Sequence, residues 1–500
     1  MLSFLTLVYI LPYLFSLSFT NASPVLSSNI THNVNCPKGK ERVFDLTISK
    51  GFFAPDGFGR DMFHINGTFP GPLISCNKGD ILVLNVKNVL NETTTIHSHG
   101  ILQRGTPWYD GVPGATQCRI PPGQTFTYKF QVCQSGTYWY HSHDKAQYIE
   151  GVVGALVIHD PEDPYINDYD EEIVVLLQDW YHTDSRILIK QFLTPESQGN
   201  EPSPDNGLIN GKNSFNCSSA SPDSRCNKVI EVEGMITKRH KVQRLPINIG
   251  QRYSVIVNAN KPIDSYWMRA EMETSCFAVV SPTLNPIVKA IVKYEGCKSQ
   301  TPSSSAWSDI VQNCTDLNPN QLQSYHPQQI PEADEQIKLI VTFRPDENNV
   351  TLAFINNSTY VINTKHPVLN KIYDGETDFA PSQNVFLINQ TKVIEIILIN
   401  KDAGEHPFHL HGHVFWIHTG KNGTRPDFTT FKNNKHLIQR DTTTVPANGW
   451  AVLRFVSNNP GVWGFHCHIE WHVQSGLVAQ FVTQPDKIRQ LNPPDDWKGL

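Results

Sequence analysis

The 500-residue chain is predicted to be an all-β protein of three β-sandwich domains. Short segments rich in β-branched residues recur at 81–86, 173–177, 253–257, 393–398 and 477–482. Gly, Pro, Asn and Asp punctuate the sequence between them, and no long stretch has helical periodicity. Many short strands separated by turn signals are typical of β-sandwiches. The length accommodates about three domains of about 150 residues each.

Two Pro-rich breaks divide the chain. Residues 160–164 close a first block, and a stretch rich in Ser, Pro, Gln and Asn separates the second block from the third. Such stretches are typical of surface linkers. We therefore predict domain 1 at 37–162, domain 2 at 163–296, a linker at 297–331 and domain 3 at 332–500.

The N-terminus has the pattern of a secretory signal peptide. Residues 2–19 are almost wholly apolar and small residues follow, which predicts a leader over residues 1–22. Many Asn-x-Ser/Thr sequons, among them Asn66 and Asn389, favour a glycosylated protein in an oxidising compartment. No later stretch is long and apolar enough to span a bilayer. We expect a secreted protein without a membrane span.

Charge and cysteine content add two constraints. The net charge is −6 and no basic block is present, so the chain lacks the electrostatic pattern of a nucleic-acid binder. Of ten cysteines, Cys467 is assigned to chemistry below, and the remaining nine predict at least one free thiol. Two pairs are near in sequence and are candidate disulfides: Cys217 with Cys226, and Cys297 with Cys314.

Four His-x-His pairs carry the main chemical signal. They are His97/His99, His141/His143, His409/His411 and His466/His468. On a strand, residues i and i+2 point to the same face, so each pair offers two adjacent imidazoles. One pair is weak evidence, but two pairs in the first block and two in the last predict a metal cluster at their interface. No Cys-x-x-Cys accompanies them, which disfavours zinc.

Cys467 indicates which metal. A thiolate with two imidazoles and a weak or missing axial group is the blue-copper arrangement. Cys467 and His472 offer two ligands from one loop, and His406 offers the third. The position of the axial ligand falls at Leu477, whose side chain cannot coordinate a metal and should therefore raise the copper potential. The alternative is that Leu477 is an ordinary core residue of a strand, and both can be true. The neighbours His466 and His468 give electrons at Cys467 a short covalent route to the cluster.

These motifs resemble the multicopper oxidase family, most closely fungal-type laccases. The likeness covers nearly the whole chain after the leader and includes residues 66–72, 103–108, 208–211, 245–253 and 461–466. The resemblance implies three cupredoxin-like Greek-key domains and reduction of O₂ to water. It also implies four coppers: one type 1, one type 2 and a coupled type 3 pair.

The resemblance also assigns roles to residues. His406, Cys467 and His472 match the type 1 ligands, and His97 and His409 match the type 2 pair. The six type 3 ligands would be His99, His141, His143, His411, His466 and His468. Asp110 and Glu470 match acids that supply protons for O₂ reduction. For each acid the alternative is a structural hydrogen-bond acceptor.

The resemblance leaves two classes of reductant open. For a phenol or aromatic amine, Asp205 is the candidate acceptor of the substrate's proton beside His472. For Fe(II), Glu201 and Asp402 match the acids of iron-oxidising relatives, and carboxylate oxygens suit the Fe(III) product. We favour the aromatic reductant and expect a monomer whose partners are this small molecule and O₂.

Domain 2 is shorter than the family pattern. Near residues 226–229 roughly two strands are missing, which would leave open sheet edges. Every predicted copper ligand lies outside this domain. A third hypothesis is therefore a secreted copper-binding protein whose turnover is impaired by the short domain.

Overall fold

The structure, a computed structural model, describes residues 2–9, 36–213, 227–298, 301–303, 314, 316–421, 424, 426 and 428–498. In this part of the chain the strands form six sheets, which pair into three sandwiches, so the predicted all-β class is confirmed. Elements are numbered from the N-terminus. The first strand, β1 (Leu2–Tyr9), belongs to the second sandwich.

The first sandwich consists of two four-stranded sheets. Its strands are β2 (Glu41–Phe53), β3 (Arg60–Ile65), β4 (Ile74–Asn77), β5 (Ile81–Asn88), β6 (His97–His99), β7 (Thr125–Gln131), β8 (Gly136–His141) and β9 (Val153–His159). The sheet orders are β3-β2-β5-β7 and β4-β9-β8-β6. Side chains such as Leu84 and Leu156 fill one core between the sheets. In the second sheet β6 pairs antiparallel with β8, which sets His97 opposite His141.

The second sandwich has one large and one small sheet. Its later strands are β10 (Glu171–Trp180), β11 (Asn206–Ile209), β12 (Asn227–Val232), β13 (Met235–Val242), β14 (Arg252–Val257), β15 (Ser265–Glu271) and β16 (Ile287–Lys293). The large sheet has the order β11-β10-β1-β14-β12-β13, and β15 pairs with β16. The residues of β1, which the sequence predicts to be part of a leader, therefore form the strand between β10 and β14.

The third sandwich packs a six-stranded sheet on a five-stranded one. Its strands are β17 (Glu335–Pro345), β18 (Thr351–Ile355), β19 (Val385–Ile388), β20 (Val393–Asn400), β21 (His406–Leu410), β22 (Phe415–Gly420), β23 (Gln439–Arg440), β24 (Thr442–Val445), β25 (Trp450–Val456), β26 (Gly461–Cys467) and β27 (Val478–Thr483). The orders are β18-β17-β20-β25-β22-β23 and β19-β27-β26-β21-β24. In the second of these sheets β21 pairs with β26, which sets His409 opposite His466.

The α-helices among the described residues are short, with four to eight residues each. They are α1 (Ser185–Phe192), α2 (Val368–Tyr373), α3 (Thr429–Asn433), α4 (Glu470–Gln474), α5 (Pro485–Ile488) and α6 (Asp495–Lys498). Among the described residues no helix is long and apolar enough to cross a bilayer. Helix α4 follows β26 directly and packs its Trp471 against Phe192 of α1.

Two disulfides are present among the described residues. Cys36 bonds to Cys133, and Cys276 bonds to Cys314 with 5.2 Å between their Cα atoms. The predicted Cys297–Cys314 pair is therefore wrong. Nearness in sequence does not decide which cysteine comes within bonding reach, and the Cys297 sulfur instead lies 3.8 Å from Oδ1 of Asp264. The candidate pair Cys217–Cys226 lies outside the described residues.

A buried acid lies where the first and second sandwiches meet. The Glu231 carboxylate accepts hydrogen bonds from the Gly234 amide and the Ser254 hydroxyl. The Ser254 oxygen lies 3.3 Å from the hydroxyl of Thr137 in the first sandwich. Burial raises the pKa of Glu231 from 4.5 to about 7.

This acid predicts a pH dependence of stability. Between pH 4.5 and 7 the folded chain holds a proton on Glu231 that the unfolded chain releases, so stability falls as pH rises through this window. From pH 5 to pH 8 this group should cost wild type about 2–3 kcal/mol of unfolding free energy, a loss that Glu231→Gln should not show. Denaturant unfolding at the two pH values measures this loss. If the unfolding free energy changes with pH equally in both proteins, Glu231 is not the group responsible.

Candidate metal centres

The three residues predicted as type 1 ligands converge at one point. His406 opens β21, Cys467 ends β26, and His472 lies in α4. The Cys467 sulfur lies 3.3 Å from Nδ1 of His472 and 3.8 Å from Nδ1 of His406, and the two Nδ1 atoms are 3.1 Å apart. All three side chains are buried. A thiolate and two imidazole nitrogens at these separations form a donor set suited to copper.

The site also favours the thiolate. Burial alone would raise the pKa of Cys467, but His472 and His406 lower it to about 7. Leu477 is fully buried in the same apolar core as Cys467. Its amide donates to the carbonyl of His472, and its carbonyl accepts from the amide of Cys467. Leu477, the predicted axial residue, is thus hydrogen-bonded through its backbone to both Cys467 and His472.

The other eight predicted ligands form a second cluster, where the first and third sandwiches meet. Their donor nitrogens fall into three groups, each with all atoms within 4.8 Å: His97, His99 and His409; His99, His141 and His468; and His143, His411 and His466. The six residues assigned to type 3 copper thus separate into two triads. Each triad combines residues that lie at a strand end, or within two residues of one, from both outer sandwiches.

Hydrogen bonds orient these rings. Nδ1 of His97 lies 2.6 Å from the carbonyl of Asp110, and Nδ1 of His409 lies 2.9 Å from the carbonyl of Asp441. The Nε2 atoms of His97, His141 and His409 are buried and have no hydrogen-bond partner among the described residues. A ring that donates outward and keeps a bare inward nitrogen is the usual state of a metal-ligating histidine.

Burial keeps most of these rings neutral. It lowers the pKa of His141, His143 and His466 well below the ordinary value, and the neighbouring imidazoles lower it further. Neutral rings have a free lone pair, as metal binding requires. The residues present therefore fit a copper cluster by position, orientation and protonation.

Asp110 and Glu470 have opposite environments. The Asp110 carboxylate lies 2.9 Å from Nδ1 of His411 and 3.3 Å from Nδ1 of His97. Although burial favours the neutral acid, these two imidazoles hold its pKa far below the ordinary range. Burial raises the pKa of Glu470 to about 8, against a hydrogen bond from Gln474. Asp110 is thus a charged acceptor and Glu470 a neutral acid at neutral pH.

The three predicted substrate acids are not equivalent. Oε1 of Glu201 lies 2.6 Å from Nε2 of His472, and Oδ2 of Asp402 lies 3.3 Å from Nε2 of His406. Asp205 instead accepts from the backbone amide of His182 at 2.8 Å. The outer nitrogen of each predicted type 1 histidine therefore faces a carboxylate, and neither carboxylate is Asp205.

Comparison with known proteins identifies the family. Multicopper oxidase family models match residues 47–163, residues 171–228 and 227–297, and residues 342–487. The chain belongs to the multicopper oxidase family. It is therefore a copper-binding oxidoreductase. The two stretches matched by the middle model meet at residues 227–228, where the sequence predicts the missing strands.

Individual multicopper oxidases of this family are similar over most of the chain. An iron transport multicopper oxidase of Epichloe festucae is 38% identical over 88% of this chain and 76% of its own. A laccase of Phlebia radiata is 36% identical over 92% of this chain and 93% of its own. The crystal structure of a Botrytis aclada laccase superposes with a TM-score of 0.84 and 31% identity, covering 96% of this chain and 95% of that one.

Sequence reasoning missed one acid in this multicopper oxidase. Oδ1 of Asp441 lies 3.3 Å from Nε2 of His99 and 3.4 Å from Nδ1 of His409. Asp441 lies far in sequence from both histidine motifs, so no spacing pattern marks it. Its sequence neighbours Arg440 and Thr442 form a polar run with it, and Asp441 lies between β23 and β24.

Proposed function

We propose that this multicopper oxidase is a laccase-like enzyme that oxidises a small reductant one electron at a time and reduces O₂ to water. One observation carries the proposal. Cys467 belongs to the thiolate triad, while its immediate neighbours His466 and His468 each belong to a different imidazole triad. Two peptide units thus tie the proposed electron-accepting centre to both halves of the proposed O₂-reducing centre.

The proposed metal content is four coppers. His406, Cys467 and His472 would hold type 1 copper, and His97 and His409 type 2 copper. The two triads, His99/His141/His468 and His143/His411/His466, would hold the type 3 pair. Bound copper supplies one-electron redox chemistry and binds O₂. Type 1 copper at this site would have a raised potential, because Leu477 in the same apolar core as Cys467 offers it no ligand atom.

The protein's own acids take complementary parts. Asp110 orients His411 through its carboxylate and His97 through its backbone carbonyl, each of which accepts a hydrogen bond from a ring N–H. Glu470, neutral at pH 7, is the proposed source of a proton for O₂ reduction. Asp110 is fully buried, whereas Glu470 also lines a cavity through which it can be reprotonated.

A phenol or aromatic amine is the first candidate reductant. A cavity lined by Tyr148, Tyr181, Glu201, Phe277, Glu470 and Trp471 lies beside the proposed type 1 centre. Aromatic walls suit a ring, and Glu201 on the outer nitrogen of His472 suits a phenolic hydroxyl that loses its proton with the electron. Glu201 thus takes the role that the sequence suggested for Asp205.

Fe(II) is the second candidate, and a specific observation favours it. Carboxylates of Glu201 and Asp402 face both type 1 histidines, at 2.6 and 3.3 Å. Two hard anionic oxygens stabilise Fe(III) over Fe(II). The similarity to an iron transport oxidase agrees with this chemistry.

Secretion and the short middle domain complete the proposal. We propose domains at 37–162, 163–296 and 332–500 after a cleaved leader at 1–22. Removal of the leader would also remove β1 from between β10 and β14. The broken match at 227–228 supports the view that domain 2 is shortened. An impaired copper-binding protein is the outcome if this domain cannot support the cluster.

One set of measurements on protein purified from culture medium tests these statements. We expect an N-terminus near residue 23, four coppers per chain, and O₂ consumption with a phenol or with Fe(II). One copper per chain with blue colour but no O₂ uptake would support the impaired protein. A folded, fully copper-loaded protein that consumes no O₂ with either reductant would refute the oxidase proposal.

A further inference from the structure

The middle domain reaches the histidine cluster through Arg252, although it contributes no predicted ligand. Arg252 opens β14 and is fully buried. Its Nη1 and Nη2 donate to Oδ1 and Oδ2 of Asp441 at 2.7 and 2.6 Å, and its Nε donates to the carbonyl of Thr137 at 3.0 Å. One guanidinium therefore connects all three domains with a bidentate geometry.

Asp441 in turn contacts two imidazoles of the cluster. Its Oδ1 faces Nε2 of His99 from the first domain and Nδ1 of His409 from the third. The opposite nitrogens face inward. Nε2 of His409 has no hydrogen-bond partner among the described residues, and Nδ1 of His99 lies 3.1 Å from Nε2 of His468. Asp441 therefore orients both rings, His99 through its carboxylate and His409 through its backbone carbonyl, which lies 2.9 Å from Nδ1 of His409.

Glu233 holds the backbone of the same acid. One of its oxygens accepts from the amides of Asp441 and Thr442, each at 2.9 Å, and the other accepts from Nε of Arg440 at 3.1 Å. The amide of Glu233 donates to the carbonyl of Arg252 at 3.2 Å. Two buried carboxylates are thus balanced by two buried guanidiniums, which offsets the cost of removing four charges from water.

Two glycines leave room for this network. Gly100 directly follows His99 with φ +84°, and a Cβ there would lie 2.5 Å from Nη2 of Arg252. Gly250 has φ +82°, and a Cβ there would lie 3.0 Å from Cδ2 of His468. Side chains at either position would displace the ion pair or a predicted ligand.

We propose that Arg252 and Glu233 are positioning residues of the O₂-reducing site, which hold Asp441 so that His99 and His409 present their inward nitrogens to copper. The inference rests on the proposed role of these histidines as copper ligands. It gives domain 2 a part in a centre to which it supplies no ligand. Both residues follow the proposed deletion point at 226–229: Glu233 lies in the turn between β12 and β13, and Arg252 opens β14.

Arg252→Lys is the principal test, because lysine keeps the charge but cannot make two parallel hydrogen bonds. The matched control is Arg454→Lys. Arg454 donates from Nε to Glu395 at 2.9 Å in a pair that is also buried and contacts no predicted ligand. Copper retention is measured by chelator competition, together with the visible absorption and the electron paramagnetic resonance spectrum.

Arg252→Lys should weaken copper binding at the histidine cluster by roughly 10–100-fold and alter the type 2 resonance. The blue absorption of the Cys467 centre should persist. Arg454→Lys should retain copper as wild type does. Equal copper retention in the two variants, or proportional loss of type 1 and cluster copper in Arg252→Lys, would overturn the positioning role.

A second variant tests the same inference if Arg252→Lys does not fold. Glu233→Gln keeps the shape of the side chain and removes its charge, and the same selective loss from the cluster is expected. Full copper retention in this variant would overturn the role of Glu233. If wild type itself holds no copper at the histidine cluster, the proposed function fails. If wild type is loaded and only the selective loss is absent, the positioning inference alone fails.

Discussion

Replacing Cys467 with serine should reduce O₂ consumption by about three orders of magnitude, because residues that act as a unit lose nearly everything when one is removed. The Cys467 sulfur completes the triad with His406 and His472. A serine hydroxyl is a harder, neutral donor and does not replace a thiolate in a copper site. The blue absorption should disappear, and copper content should fall by one per chain.

A buried cysteine elsewhere provides the control. Cys76 is 3% exposed in the core of the first sandwich and contacts neither proposed centre. Cys76→Ser buries a hydroxyl and should lower stability by about 1–3 kcal/mol while colour and turnover per folded chain persist. Turnover of Cys467→Ser within tenfold of wild type would show that electrons enter by another route.

Strand geometry explains why so much of the centre was predictable. Alternate side chains of a strand share one face, so each His-x-His pair already places two rings together. Antiparallel pairing then sets His97 opposite His141 and His409 opposite His466. The alternation of side chains within each short motif and the register between paired strands are thus sufficient to bring these histidines together.

The rest of the centre depends on contacts that no local pattern encodes. Asp441 meets Arg252 across 189 residues and His99 across 342, so only the packing of three domains brings them together. The choice of Glu201 over Asp205 at His472 depends on how the loop between α1 and β11 lies on α4. The pairing of Cys314 with Cys276, 38 residues away in sequence, likewise follows no local spacing pattern.

Substitutions of the acids beside the type 1 histidines should distinguish the two reductants. If a phenol is oxidised, Glu201→Gln should lower kcat/KM by about 100-fold or more through loss of the proton acceptor. Asp402→Asn should have little effect, because only Glu201 both contacts His472 and lines the aromatic cavity. If Fe(II) is oxidised, either change should lower kcat/KM about tenfold or more, since each removes an anionic oxygen from the ion's site.

Asp205→Asn is the matched control for both reductants. Asp205 lies four residues from Glu201 in the same loop, yet its contacts are with His182. The variant should therefore turn over phenol and Fe(II) as wild type does, and all three variants should keep the blue absorption. Loss of phenol turnover in Asp205→Asn but not in Glu201→Gln would restore Asp205 as the proton acceptor. A third outcome is that both Glu201→Gln and Asp402→Asn lose Fe(II) turnover, while only Glu201→Gln lowers phenol turnover. The Glu201 carboxylate at His472 would then serve both kinds of reductant, and the Asp402 carboxylate would be needed for iron alone.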